Sequence, residues 1–181
     1  MKKIFFVLLL PFLAAFVLAG CGYSSKSLLP DNIKTIHIQN FTNGIDPTRE
    51  ISDRRNSYSY RPGLESEITR AVIDAFIKDR HIEVTREDGA DITLSGKLVD
   101  CRQYPLSYQG RDSIEEFRME IYVDVEVYDN NAKQMLWKEK NFMGQSSYIV
   151  AGSNRKTLGQ AQRSTVQDMA DRIVERTVEK W

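Results

Sequence analysis

The sequence predicts an α+β fold. Two helices pack on one face of a four-stranded, mostly antiparallel sheet, a two-layer sandwich in the order β-α-β-β-β-α. Three observations carry this. Residues 117–128 alternate apolar and polar at a period of two. Segments 62–80 and 157–180 place apolar residues three and four apart, the signature of amphipathic helices. A sheet with one dry face and helices with one dry stripe must cover each other.

The first predicted strand is residues 33–41, where Ile36 and Ile38 alternate with Thr35, His37 and Gln39. Residues 42–63 are rich in Asn, Arg, Ser and Tyr, hold Pro47 and Pro62, and read as a long loop. Helix 62–80 aligns Leu64, Ile68, Ala71, Val72, Ala75 and Phe76 in one stripe, with Pro62 suited to a first turn. In "ADITLSGKLVD", Ile92, Leu94, Gly96 and Leu98 share a strand face. The next strand is the clearest. Phe117, Met119, Ile121, Val123, Val125 and Val127 form a dry face against Arg118, Glu120, Tyr122, Asp124, Glu126 and Tyr128. "DNNAK" at 129–133 is hairpin chemistry, and "QMLWKEKNF" is the return strand. Residues 144–156 read as a Gly- and Ser-rich loop. In the last helix Leu158, Ala161, Thr165, Met169, Ile173 and Thr177 form one track beside Val166, Ala170, Val174 and Val178.

The N-terminus has its own grammar. Lys2 and Lys3 precede an apolar run from Ile4 to Ala19, small residues follow, and no basic cluster stops transfer. That describes a cleaved signal peptide, residues 1–20. The run ends on "LAGC", which resembles the lipobox of bacterial lipoproteins and marks Cys21 as the lipidated first residue of the mature chain. A covalent lipid there is the only non-protein group expected, with no cofactor or metal. Two or more acyl chains anchor stably where one does not. Gly22 rather than Asp after the cysteine points to the outer membrane, periplasmic side. Residues 21–32 then form the acylated end and tether, and 33–181 a single domain.

Composition narrows the function. The chain has 25 basic and 25 acidic residues, and losing Lys2 and Lys3 leaves the mature part slightly acidic, which gives no ground for nucleic-acid binding. Only Cys101 remains besides Cys21, so neither a disulfide framework nor a cysteine zinc site is available. His37 and His81 belong to no HxxxH or HExxH pattern, and no phosphate-cradling glycine motif occurs. Asp124 and Glu126 share a strand face but fit a solvated face opposite lysines better than a catalytic pair. The chain reads as a non-enzyme. Segment 100–112, "DCRQYPLSYQGRD", reads as a loop whose Tyr104, Leu106, Tyr108 and Arg111 suit a partner contact, because aromatics and arginines dominate interface energetics.

Several pieces then agree in order. The lipobox with Gly22-Tyr23, "LPDNIKTIHIQNFTN", "RPGLESEITRAVIDAFIKD", "ADITLSGKLVD", "YPLSY", "LWKEKNFMGQSSY" and "ERTVEKW" together resemble the LptE family over nearly the whole mature chain. The resemblance implies two helices on a four-stranded sheet. It also implies a non-enzymatic outer-membrane lipoprotein that plugs and helps assemble an LptD-type β-barrel and assists lipopolysaccharide delivery to the cell surface. Arg102, Arg111, Arg118 and Lys133 are the candidate lipopolysaccharide contacts it suggests. The alternative is a subunit of another outer-membrane secretion or assembly complex of the CsgG-like kind. Such a pore subunit needs membrane-crossing hairpins, and residues 114–142 carry too many charges on their outward face for that.

Overall fold

The computed structural model describes residues 30, 32–45, 57–58, 60–86, 89–109 and 113–179. Among these residues seven strands and two helices follow in the order β1 (Thr35–Ile38), β2 (Thr42–Asn43), β3 (Ser57–Tyr58), α1 (Leu64–Asp79), β4 (Glu83–Val84), β5 (Ile92–Gln109), β6 (Ser113–Asp129), β7 (Gln134–Ile149) and α2 (Leu158–Glu179). They build one mixed sheet along the path β4-β1-β5-β6-β7, with β2 and β3 also on β5. The α+β class and the two helices agree with the sequence reading. The count of four antiparallel strands does not: β1 runs parallel to both β4 and β5, and β2 runs parallel to β5. Three two-residue strands are too short to leave a periodic signal. Their partners, not their own sequence, make them strands.

The dry face is as the alternation of β6 demands. Met119, Ile121, Val123, Val125 and Val127 are buried, and Phe117 is half-buried. Their partners across the ladder on β5 include Leu98, Gly96, Leu94 and, beyond a register shift, Cys101. Leu98 and Cys101 are both fully buried although three apart, because Val99 is the extra residue of a bulge. Without that bulge, everything from Asp100 onward would face the wrong side. Gly96 is required here, since a Cβ would overlap the Phe41 ring that packs on it.

Both helices bury their predicted stripes against this face, except that Ala71 is half-buried and Leu158 is exposed at the first turn of α2. On α2, Ala161 lies by Ser146 of β7, Met169 by Gly144, Arg172 by Phe142 and Arg176 by Trp137. The helix therefore runs antiparallel to β7. Gly144 lets it come close, since a Cβ there would stand 2.7 Å from the Met169 Cβ and 2.9 Å from its backbone. Arg61, just before α1, donates to Gln162 of α2 at 2.6 Å, so the N-termini of the two helices lie at the same end.

The β7 edge is guarded. Asp168 accepts the Gln145 N–H, Lys138 to Lys140 carry charge along it, and Asn141 at φ 53° bulges the strand while donating its N–H to Asp124. At the opposite end of the sheet from the helix N-termini, Asp91 accepts from Lys34 N, Thr35 N and the Thr35 hydroxyl, and Asn131 donates to its other oxygen. These bonds tie the start of β1 to the β5 entry and the β6–β7 turn and hold the Asp91 carboxyl below its ordinary range, the Lys34 N–H contributing most. No described helix is long and apolar enough to cross a membrane.

Candidate functional site

Two of the long strands, β5 and β6, outrun the α2 entry. The α2 entry, at Ala161, packs with Met119 and Tyr148 in a small satellite cluster flanked by Phe117 and Val150. Beyond that level β5 continues through Gln109 and β6 begins at Ser113, while β7 ends at Ile149, one residue past Tyr148. At about 3.3 Å per residue this overhang is roughly 15 Å long. The predicted loops at 100–112 and 144–156 are therefore corrected. Residues 100–109 are strand, and so are 144–149. The Gly-Gln-Ser-Ser composition reads as loop because its inward positions are Gly144 and Ser146, a small residue and a hydroxyl that fit close against α2, so apolar alternation is missing although the face is covered. Pro105 is accommodated at a register shift, where a missing ladder donor is tolerated. The predicted loop 42–63 likewise contains β2 and β3.

The tip's surface is built in rows across the strands. Tyr104, Arg118 and Ser147 are in register, then Pro105, Phe117 and Tyr148, then Ser107, Glu116 and Ile149, and Tyr108 pairs with Ile114. Phe117 and Tyr148 stack with centroids 5.8 Å apart. Leu106, Tyr108 and Ile149 are exposed, Tyr108 by 56%. Such large side chains in an otherwise polar surface suit contact with something that covers them.

The start of α2 adjoins this tip. The Lys156 N–H donates to the Ile149 carbonyl at 2.8 Å, which folds the loop after β7 back on the strand end. Thr157 and Gln160 form a reciprocal cap, backbone N–H to side chain in both directions. The first turn of α2 has no acidic residue, and Arg155, Lys156 and Arg163 are all exposed beside it. Cations at the positive end of a helix dipole are unfavourable unless something anionic answers them. The arrangement is thus an electropositive edge next to an apolar, aromatic one.

The sequence-predicted residues fall into four groups. Tyr104, Leu106 and Tyr108 do lie together, on β5 rather than a loop, and Arg118 is exposed opposite Tyr104. Arg102 is already committed. Its guanidinium donates to Asp100 and to the Tyr104 hydroxyl and lies 5.7 Å from the Tyr122 ring centroid. Those hydrogen bonds, from Tyr104 first and Asp100 next, raise its already high pKa. Beside it, burial and the bond from its hydroxyl to Glu120 push Tyr122 up to about 12. Lys133 sits at the opposite end of the sheet, in the β6–β7 turn at φ 56°, roughly 35 Å from Arg118 by strand rise. Cys21 and Arg111 lie outside the described residues. Arg155, Lys156 and Arg163 were missed. The signal available was three cations around a Thr cap with no acid in the first turn.

Catalytic constellations do not emerge from this geometry. His37 Nδ1 lies 3.3 Å from the Thr85 carbonyl, and His81 pairs with Asp79 at 2.9 Å. Among the described residues no three His, Cys, Asp or Glu side chains gather to hold a metal. Cys101 is fully buried, and burial pushes its thiol up to about 12, with Asp100 adding to the effect. It is inert to exchange.

Comparison with known proteins agrees with this picture. A family model described as LptE, lipopolysaccharide-assembly, matches residues 33–180. No curated protein matches the sequence. Among solved structures, the chain is similar to XCC0632 of Xanthomonas campestris, at 10% identity and TM-score 0.50, over 82% of this chain and 85% of that one. It is also similar to CT253 of Chlamydia trachomatis, at 12% identity and TM-score 0.50, over 80% and 95%. Both likenesses concern the fold.

Proposed function

The chain belongs to the LptE lipopolysaccharide-assembly family, and on that premise we propose that it is a non-enzymatic lipoprotein of the outer membrane. In this reading Cys21 carries the lipid on the periplasmic side. The folded domain plugs and helps assemble an LptD-type β-barrel and assists delivery of lipopolysaccharide to the cell surface.

The observation that supports the reading best is the overhanging tip. Lipopolysaccharide is an amphiphile with phosphate groups beside acyl chains. The tip sets the exposed Leu106, Tyr108 and Ile149 beside the exposed Arg155, Lys156 and Arg163 at the start of α2. Charge-assisted bonds to phosphate and a dry contact for acyl chains are then available within one surface. The lumen of a transmembrane barrel is wet and polar, which suits a plug whose apolar exposure is confined to one end.

Depletion tests the role directly. It should leave lipopolysaccharide below the cell surface and reduce correctly assembled barrel. Arg155→Glu with Lys156→Glu and Arg163→Glu should weaken lipopolysaccharide binding by the purified domain while its melting temperature holds. Intact surface lipopolysaccharide and intact barrel after depletion would contradict the role. Normal binding by the triple variant would move the contact elsewhere.

A further inference from the structure

The sheet face turned away from the helices carries a groove that the tip does not use. Two adjoining shallow depressions, of about 280 and 300 Å³, share Gln39, Ser95 and Glu126. One end is lined by Lys97, Lys138, Lys140 and Asp124, the other by Tyr128 and Met135. Tyr128 and Met135 are exposed by 36% and 46%. The groove follows β6 from Asp124 to Tyr128, about 13 Å at strand rise.

Its charges are uneven. Glu126 is consumed by Lys138 at 2.7 Å and by the Ser95 hydroxyl. Asp124 accepts the Asn141 N–H at the β7 bulge. Lys97 faces Asp124 across the ladder, but its stem leans over Gly44, which has no side chain to obstruct it, and no ion pair forms. Lys140, on the bulge, likewise forms no ion pair with a described residue. Three ammonium groups against the carboxylates of Asp124 and Glu126 leave that end with a net positive charge, with an aromatic and a thioether at the other. The exposed Gln39 lies between them, and its side chain forms no hydrogen bond among the described residues.

The geometry points to this groove as the docking site for an extended segment of a protein partner. That segment carries a carboxylate side chain and, four residues on, an apolar one. An extended chain covers about 13 Å in four residues, which matches the distance between the two ends. The depressions are too open to enclose a small molecule, which pockets normally bury almost entirely. Taking the LptD-type barrel as that partner rests on the proposed function.

Site-specific photo-crosslinking in cells, with benzoylphenylalanine at Gln39 or Met135 of the full lipoprotein, tests it. Both positions should crosslink to one barrel segment with acidic and apolar residues four apart. Lys97→Glu with Lys140→Glu should cut that yield about tenfold, as like-charge contact at an interface does. Lys97→Met with Lys140→Met keeps the aliphatic stems and should reduce it less. Lys133→Glu, at the base turn, should leave it unchanged. Crosslinks from Tyr108 but none from Gln39 or Met135 overturn the groove and leave the family role standing. Crosslinks to a second copy of this chain, to a segment without a carboxylate, or unchanged in both double variants also overturn it. Absence of barrel crosslinks at all positions, with barrel assembly unaffected by depletion, removes both readings.

Discussion

The base of the sheet and its tip are the same three strands under different rules. From Ile92 to Cys101 on β5 and Met119 to Val127 on β6, one face is dry because α1 and α2 lie on it. From Pro105 to Gln109 and Ser113 to Glu116, neither described helix lies over it. The base carries the stability and the tip carries exposed apolar and cationic side chains. Separating them along one ribbon lets the tip be sticky without weakening the core.

The largest expected break in that contrast is Val123→Asp. Val123 is fully buried mid-strand, so a carboxylate there is desolvated and unpaired. A loss of more than about 4 kcal/mol is expected. A urea midpoint close to that of the parent chain would mean the two faces are assigned the wrong way round. Next comes Gly144→Val, which drives a side chain into the Met169 backbone. Overpacking of this kind costs about 1–3 kcal/mol. The same change at Gly152, where nothing lies within 4 Å of a Cβ, meets no such obstacle, though its φ of 81° carries backbone strain of its own. Calorimetry should therefore give a larger loss at Gly144.

A smaller effect lies in pH. Because the native Asp91 carboxyl titrates below its unfolded value, its contribution is fully present above the unfolded pKa, about 4. It is lost as pH falls through the native pKa. Asp91→Asn should lower stability at neutral pH and flatten the acid limb of a melting-temperature profile. An unchanged limb would show that the base lock does not titrate.

The smallest effects belong to exposed groups. Tyr108→Ala should change stability by less than about 0.5 kcal/mol, and with Arg111→Ala it should still weaken retention of the barrel. A domain that melts much earlier would mean the tip is part of the core after all. Cys21→Ala should abolish fatty-acid labelling while a chain starting at Gly22 still folds, which circular dichroism would check.

Much was legible without coordinates where one-dimensional periodicity records burial. The β6 alternation, the α1 stripe and nearly all of the α2 track came directly from residue spacing, because a helix or strand with one wet face must repeat at its own period. That lysines stand opposite this wet face followed from the same logic, and the structure pairs Lys138 with Glu126. The family was legible from the order of its segments, since their sequence survives in the chain itself. The tertiary structure alone decided the rest. β2 and β3 are strands only because β5 offers them an edge, and the parallel pairing of β1 follows from the helix crossover that brings the chain back to the same edge. The Val99 bulge, which turns Cys101 inward, has no local signal. Residues 102–109 and 144–149 are strand by long-range pairing with β6, and in the second segment the inward positions include Gly144 and Ser146, which fit against α2 without leaving an apolar period. Arg102, Arg118 and Lys133 looked equivalent as cations in sequence. Position in the fold ties the first to Asp100, exposes the second at the tip and sends the third to the far end, because what a charge can do depends on what else is within a few ångströms of it.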